Sequence, residues 1–210
     1  MSQHDLAERI RAVLPADERH AEIFRAIHIT QSVEGGGDAP KFARPEVLVG
    51  HSMPGDGWAR AFSFVPLIFK IVFNAFPEPD ASSNDPAVRS GRQRKNSRFF
   101  GTWEGLAGQW MAALQPLCSG GVATAVALTE SQVRFVYWQQ RRGGGKLGDA
   151  YEMGPSFRRD TIAWTRRRRK DSKEFQIGFT DGSWGTALIP RDDAFLNAFP
   201  HTLTPEDPIP

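Results

Sequence analysis

The chain has 210 residues, 26 lysines and arginines against 24 aspartates and glutamates, and 40% hydrophobic residues; that is enough apolar material for one real core, in one domain or one domain with a large appendage. Cys118 is the single cysteine, which excludes an intramolecular disulfide and removes any need for an oxidising compartment, so a cytoplasmic protein is expected. The polar residues 1–11 lack the apolar segment of a secretory signal, and the longest apolar stretch, 61–76, is interrupted by Pro66, Lys70 and Asn74 and falls short of the roughly 20 residues of a spanning helix, so no transmembrane segment is expected.

Residues 1–15 read as an N-terminal amphipathic helix: Leu6, Ile10 and Val13 recur at helical spacing, Ser2 is placed to cap it opposite Asp5, and Pro15 closes it. Residues 20–33 follow as a possible first strand, because Ile23, Phe24, Ile27, Ile29 and Val33 mix β-branched and aromatic side chains before Gly35-Gly36-Gly37. From 35 to 119 prolines and polar runs break the pattern, and this stretch reads as an insertion. It carries two candidate helices, 61–76 and 102–117, the second capped by Thr102 and striped by Trp103, Leu106, Trp110, Met111, Leu114 and Leu117. Between them lies a loop near 77–98 whose Ser, Asn, Pro and Arg content predicts disorder.

After Gly120 short runs alternate with turn residues at the spacing of a β-sandwich or small barrel. Strands are predicted over 122–128, 133–139, 150–154, 161–167, 174–180 and 183–189, with Phe175, Ile177 and Phe179 alternating against Gln176, Gly178 and Thr180. Asp181-Gly182 is a hairpin turn signal. Residues 192–199 form a short closing helix carrying Phe195, Leu196 and Phe199, and 201–210 is a proline-rich tail. The expected class is α+β: an antiparallel β-barrel or sandwich closed by a C-terminal helix, with an N-terminal helix and a long, partly helical insertion.

Gly121-Val122-Ala123-Thr124-Ala125-Val126-Ala127-Leu128-Thr129 followed by Val133-Arg134-Phe135-Val136 resembles the opening hairpin of bacterial pleckstrin-homology-like (PH-like) domains. Phe175 to Phe179 followed by Asp181-Gly182-Ser183-Trp184 resembles their late hairpin. The resemblance covers roughly residues 120–200, with 20–33 supplying a first strand ahead of the insertion. It implies a PH-like barrel, a fold that serves lipid binding, peptide binding and scaffolding.

The charge is unevenly placed. Between residues 131 and 180 stand twelve basic residues, Arg134, Arg141, Arg142, Lys146, Arg158, Arg159, Arg166, Arg167, Arg168, Arg169, Lys170 and Lys173, against five acidic ones. Five adjacent cations at 166–170 repel one another, so an anionic ligand would offset them. If the 141–146 turn and Arg158-Arg159 share one end of the barrel with that run, the set makes an electropositive rim for phosphate groups; the plain alternative is a solvated hairpin tip. Trp138, Trp164 and Trp184 beside these charges could stack on bases, although core packing accounts for them more simply.

Val47-Leu48-Val49-Gly50-His51-Ser52-Met53-Pro54-Gly55 looks like a hydrolase nucleophile elbow centred on Ser52, with His201 as a distant partner. Pro54 stands where the elbow needs a small residue, and no βαβ alternation follows. His4, His20, His28, His51 and His201 lie far apart, Cys118 has no cysteine partner, and neither Gly-rich run has phosphate-loop spacing. The expectation is therefore a non-enzymatic, cytoplasmic binding module, peripheral to the membrane where its ligand is lipid, needing no cofactor or metal. Its basic rim of Arg141, Arg142, Lys146, Arg158, Arg159, Arg166, Arg167, Arg168, Arg169 and Lys170 would recognise an anionic lipid surface, an acidic peptide or a protein. Nucleic-acid binding through the same arginines is the alternative, and a serine hydrolase at Ser52 a third.

Overall fold

In chain order the elements are α1 (Gln3–Val13), β1 (Glu22–Arg25), β2 (Phe99–Phe100), α2 (Leu106–Ala113), β3 (Gly121–Leu128), β4 (Gln132–Gln140), β5 (Leu147–Arg158), β6 (Ile162–Arg167), β7 (Glu174–Phe179), β8 (Trp184–Leu188), α3 (Asp192–Asn197) and β9 (Thr202–Leu203). The computed structural model describes residues 3–27, 38–51, 53, 98–142, 146–169, 173–189 and 192–210. The expected helix at 61–76, the loop up to residue 97, Ser2, Ser52, Lys170 and both Gly-rich runs lie outside the described residues. The fold is α+β, with two mostly antiparallel sheets.

The first sheet has the order β1-β3-β4-β5. Alternation along β3 and β4 sends Val126, Leu128, Val133, Phe135 and Tyr137 inward, and Ala123, Ala125, Ala127, Val136 and Trp138 outward. The outward alanines leave room for α1, whose Leu6 and Ile10, with Leu14 beyond the helix end, are buried against them. Both faces of this sheet are therefore covered, which explains strands apolar on both sides.

The second sheet has the order β2-β8-β7-β6-β9, antiparallel except where β9 runs parallel to β6. Phe175, Ile177 and Phe179 of β7 face the first sheet and are buried. On the outer side, a Cβ at Gly178 would stand 2.0 Å from Trp164 Cε2, so only glycine lets the indole lie across β7. The turn after β7 has Gly182 at φ 77°, the left-handed conformation that the Asp-Gly signal predicts.

The sheets meet at one corner. Ile27 N–H donates to Leu188 O at 2.9 Å and Leu188 N–H donates back to Ile27 O at 3.1 Å, carrying the line of β1 onto β8. Among the described residues no further strand pairing joins the sheets into a closed barrel. Helices fill the space between them. Trp110 of α2, fully buried, packs against Phe135 at 4.8 Å, Phe157 at 5.5 Å and Phe179 at 6.0 Å. Phe195 of α3 packs against Phe24 at 5.2 Å and Phe175 at 6.1 Å.

Several boundaries differ from expectation for physical reasons. The helix expected over 102–117 spans Leu106–Ala113, because Thr102 Oγ1 accepts the Gly105 N–H at 3.2 Å in a turn ahead of it and Pro116 lies beyond it. β5 is a full Leu147–Arg158 strand where a short one was expected, since two register shifts let it follow β4 past Pro155. The closing helix stops at Asn197, and the tail is partly a strand, β9.

Candidate anion-binding residues

The predicted rim is not one surface. The antiparallel pairing of β4 and β5 sets Gln140 opposite Leu147 and Gln132 opposite Arg158, so Arg141, Arg142 and Lys146 lie at one end of the hairpin and Arg158-Arg159 at the other. At about 3.4 Å per residue, the length of β4 puts roughly 27 Å between them. The run beginning at Arg166 belongs to the other sheet.

At the hairpin mouth Arg141 N–H donates to Lys146 O at 2.9 Å, which holds the two residues side by side. Both are exposed, and among the described residues neither side chain has a carboxylate within 4.0 Å. Arg142 Nη2 donates to Ser119 O at 3.1 Å, and Arg25 Nη2 donates to Gln140 Oε1 at 3.3 Å. Arg25 was not among the expected rim residues. It is separated from Gln140 by 115 positions, and nothing local in its strand marks it for this end.

At the far end the Arg158 guanidinium pairs with Asp160, which raises its pKa by a direct hydrogen bond. Arg159 Nη1 donates to Thr129 O at 3.1 Å, and its guanidinium lies 5.5 Å from the Phe199 ring centre. Two clefts of ≈ 510 Å³ and ≈ 780 Å³ share Arg159 and the Glu130–Gln132 turn. Their walls mix Glu18, Glu22, Glu130 and Asp160 with Arg158, Arg159, His20 and His201, so they present no single sign of charge.

The arginine run is largely engaged. Arg166 is 3% exposed; its Nε donates to Gln176 Oε1 at 2.6 Å and its Nη1 to Asp207 O at 2.7 Å. Burial lowers its pKa, partly offset by Asp207. The Arg167 guanidinium sits 5.8 Å from the Phe175 ring centre. Arg168 Nη1 and Arg98 Nη2 share Glu174, at 2.7 and 2.9 Å. Arg169 is exposed. The self-repulsion expected of five adjacent cations is thus met for Arg166 and Arg168 within the chain.

Trp138, Trp164 and Trp184 are all buried. Trp138 Nε1 donates to Gly148 O at 2.8 Å, and its ring stacks on half-exposed Tyr151 at 5.3 Å. In the elbow-like segment, Leu48 and Gly50 take positive φ, 52° and 80°, and His51 N–H donates to Leu48 O at 3.0 Å. No group of three or more potential metal ligands gathers among the described residues, and no helix there is long and apolar enough to cross a membrane. No protein-family model matches the chain, and no curated protein or solved structure matches it.

Proposed function

We propose that the chain is a non-enzymatic, PH-like module that binds an anionic phospholipid surface through the mouth of the β4–β5 hairpin. The observation that carries this reading is the pair Arg141 and Lys146, exposed, adjacent and without a carboxylate within 4.0 Å among the described residues, beside Arg142 and Arg25. The PH-like part rests on the meander β1-β3-β4-β5, on the antiparallel β6-β7-β8 beside it, on the Ile27–Leu188 corner and on a helix following β8.

Membrane attraction of this kind is worth roughly 1 kcal/mol per cation near the surface, so Arg141, Arg142 and Lys146 supply about 3 kcal/mol, a weak and salt-sensitive attachment. Trp138 and Trp164, the rings on which bases would stack, are buried, which favours the lipid reading over nucleic-acid binding.

Co-sedimentation with phosphatidylserine-containing vesicles tests the reading, with neutral phosphatidylcholine vesicles and an oligonucleotide alongside. Retention by the anionic vesicles, lost at high salt, is expected. Retention by the oligonucleotide alone would favour the nucleic-acid reading, and retention by neither would overturn an anion-binding role for the hairpin mouth.

A further inference from the structure

The outer edge of β6 is occupied by the chain itself. β9 pairs with it through two residue pairs, Thr165 with Thr202 and Arg166 with Leu203, and Thr165 N–H donates to His201 O at 2.9 Å. A turn follows, in which Thr204 N–H donates to Asp207 Oδ2 at 2.6 Å, and it presents the Asp207 carbonyl to Arg166 Nη1. Beyond β9 the segment lies on the surface, with Thr204, Glu206, Pro208 and Pro210 exposed and the residues between them half-buried. A strand of two residues held this way belongs to the least stable part of a fold.

Arg166, Gln176 and Thr186 form one cross-strand row on the outer face of β6, β7 and β8, and all three are buried. Arg166 is satisfied through a backbone carbonyl, a group that any peptide carries. Among the described residues, Gln176 Nε2 and Thr186 Oγ1 are buried without a hydrogen-bond partner. Each can donate, and a carboxylate oxygen is the acceptor that serves both. Exposed Arg169 follows in the same hairpin, and the occupying segment carries Glu206 and Asp207.

We propose that this edge is a docking site for an acidic peptide segment of a partner protein, which adds a short parallel strand to β6, and that residues 201–210 are its intramolecular occupant. The site is separate from the hairpin mouth, and its test does not depend on lipid binding.

The probe is a fluorescein-labelled decapeptide with the sequence of residues 201–210, titrated by anisotropy against the full chain and against the full-length variant E206K/D207K. The variant sets two lysines against the arginine run and unseats the segment. Binding at least tenfold tighter to the variant than to the native chain is expected, weakened by salt and reduced again by Arg169→Ser. Hydrogen exchange supplies the second measurement: the Thr165 amide should exchange faster in the variant and regain protection on adding the peptide. A Thr165 amide that stays protected in the variant would mark β9 as a fixed strand and overturn the proposal. Equal affinity for both chains, or binding to neither, would overturn it as well.

Discussion

Asp181 caps helix α2 from 75 positions away: its Oδ2 accepts the Leu106 N–H at 2.9 Å, while its other oxygen accepts the Ser183 N–H and hydroxyl. Ser183 Oγ in turn accepts the Ala107 N–H at 3.0 Å. The N-cap position itself is Gly105, which offers no side chain, so the turn between β7 and β8 supplies what the helix lacks and pins α2 to the second sheet. Burial tends to raise the Asp181 pKa, but the hydrogen bonds from Ser183 and Leu106 outweigh it and hold the carboxyl below its ordinary value. The stabilisation is therefore fully present above the unfolded-state value, about 3.9, and is lost as pH falls through the lower folded value. Asp181→Ala should cost about 1 kcal/mol at neutral pH. In urea unfolding, the gap between native and variant should narrow below about pH 4; a gap that stays constant down to strongly acidic pH would show that the carboxylate is not the cap.

Gly178→Ala tests the packing of Trp164 across β7. An alanine Cβ would meet Trp164 Cε2 at 2.0 Å, and both residues sit in paired strands with little freedom to move apart. The substitution should lower stability by about 1–3 kcal/mol although alanine suits a strand better than glycine. In the Trp164→Phe background, where much of the indole is gone, the added cost should shrink. Additive costs in that double-mutant cycle would show that Gly178 serves the backbone and not the indole.

The strands of the second half were legible because each is patterned locally: Phe175, Ile177 and Phe179 declare one face, and Asp181-Gly182 declares the turn. Helix α1 was legible from Leu6 and Ile10. The span 35–119 misled in one respect. It reads as an insertion, yet its Trp110 stands at the centre of the core, between Phe135 and Phe157 of one sheet and Phe179 of the other. Nothing in a helical stripe says which sheets it will meet. The arginines show the same limit. Composition located the charge, but whether an arginine is free depends on partners such as Glu174, Asp207 and Phe199, which only the fold brings near.

Glu18 and Arg134 tie the segment before β1 to the outer face of β4. Arg134 Nη2 donates to Glu18 Oε1 at 2.7 Å and its Nε to Oε2 at 2.8 Å, with 23% of the arginine side chain and 11% of the glutamate exposed. The two-point geometry and shallow burial make this pair stronger than an ordinary surface one. Glu18→Ala should cost about 2 kcal/mol in chemical unfolding, because it leaves Arg134 desolvated and unpaired. Replacing both residues, as Glu18→Leu with Arg134→Met, should cost less than Glu18→Ala alone. A double variant less stable than Glu18→Ala alone would contradict that account.

Arg141 and Lys146 give the sharpest separation of binding from stability. Both are exposed and unpaired among the described residues, so Arg141→Ser with Lys146→Ser should leave the unfolding midpoint within about 0.5 kcal/mol of native. Retention on phosphatidylserine-containing vesicles should fall by about 2 kcal/mol, a factor of roughly thirty at low salt. Arg158→Ser with Arg159→Ser removes the same charge from the opposite end of the hairpin, where Asp160 and Thr129 already engage those side chains. That pair should leave vesicle retention near native. Equal losses from the two double variants would mean that net charge and not the hairpin mouth governs attachment, and the lipid reading would fall.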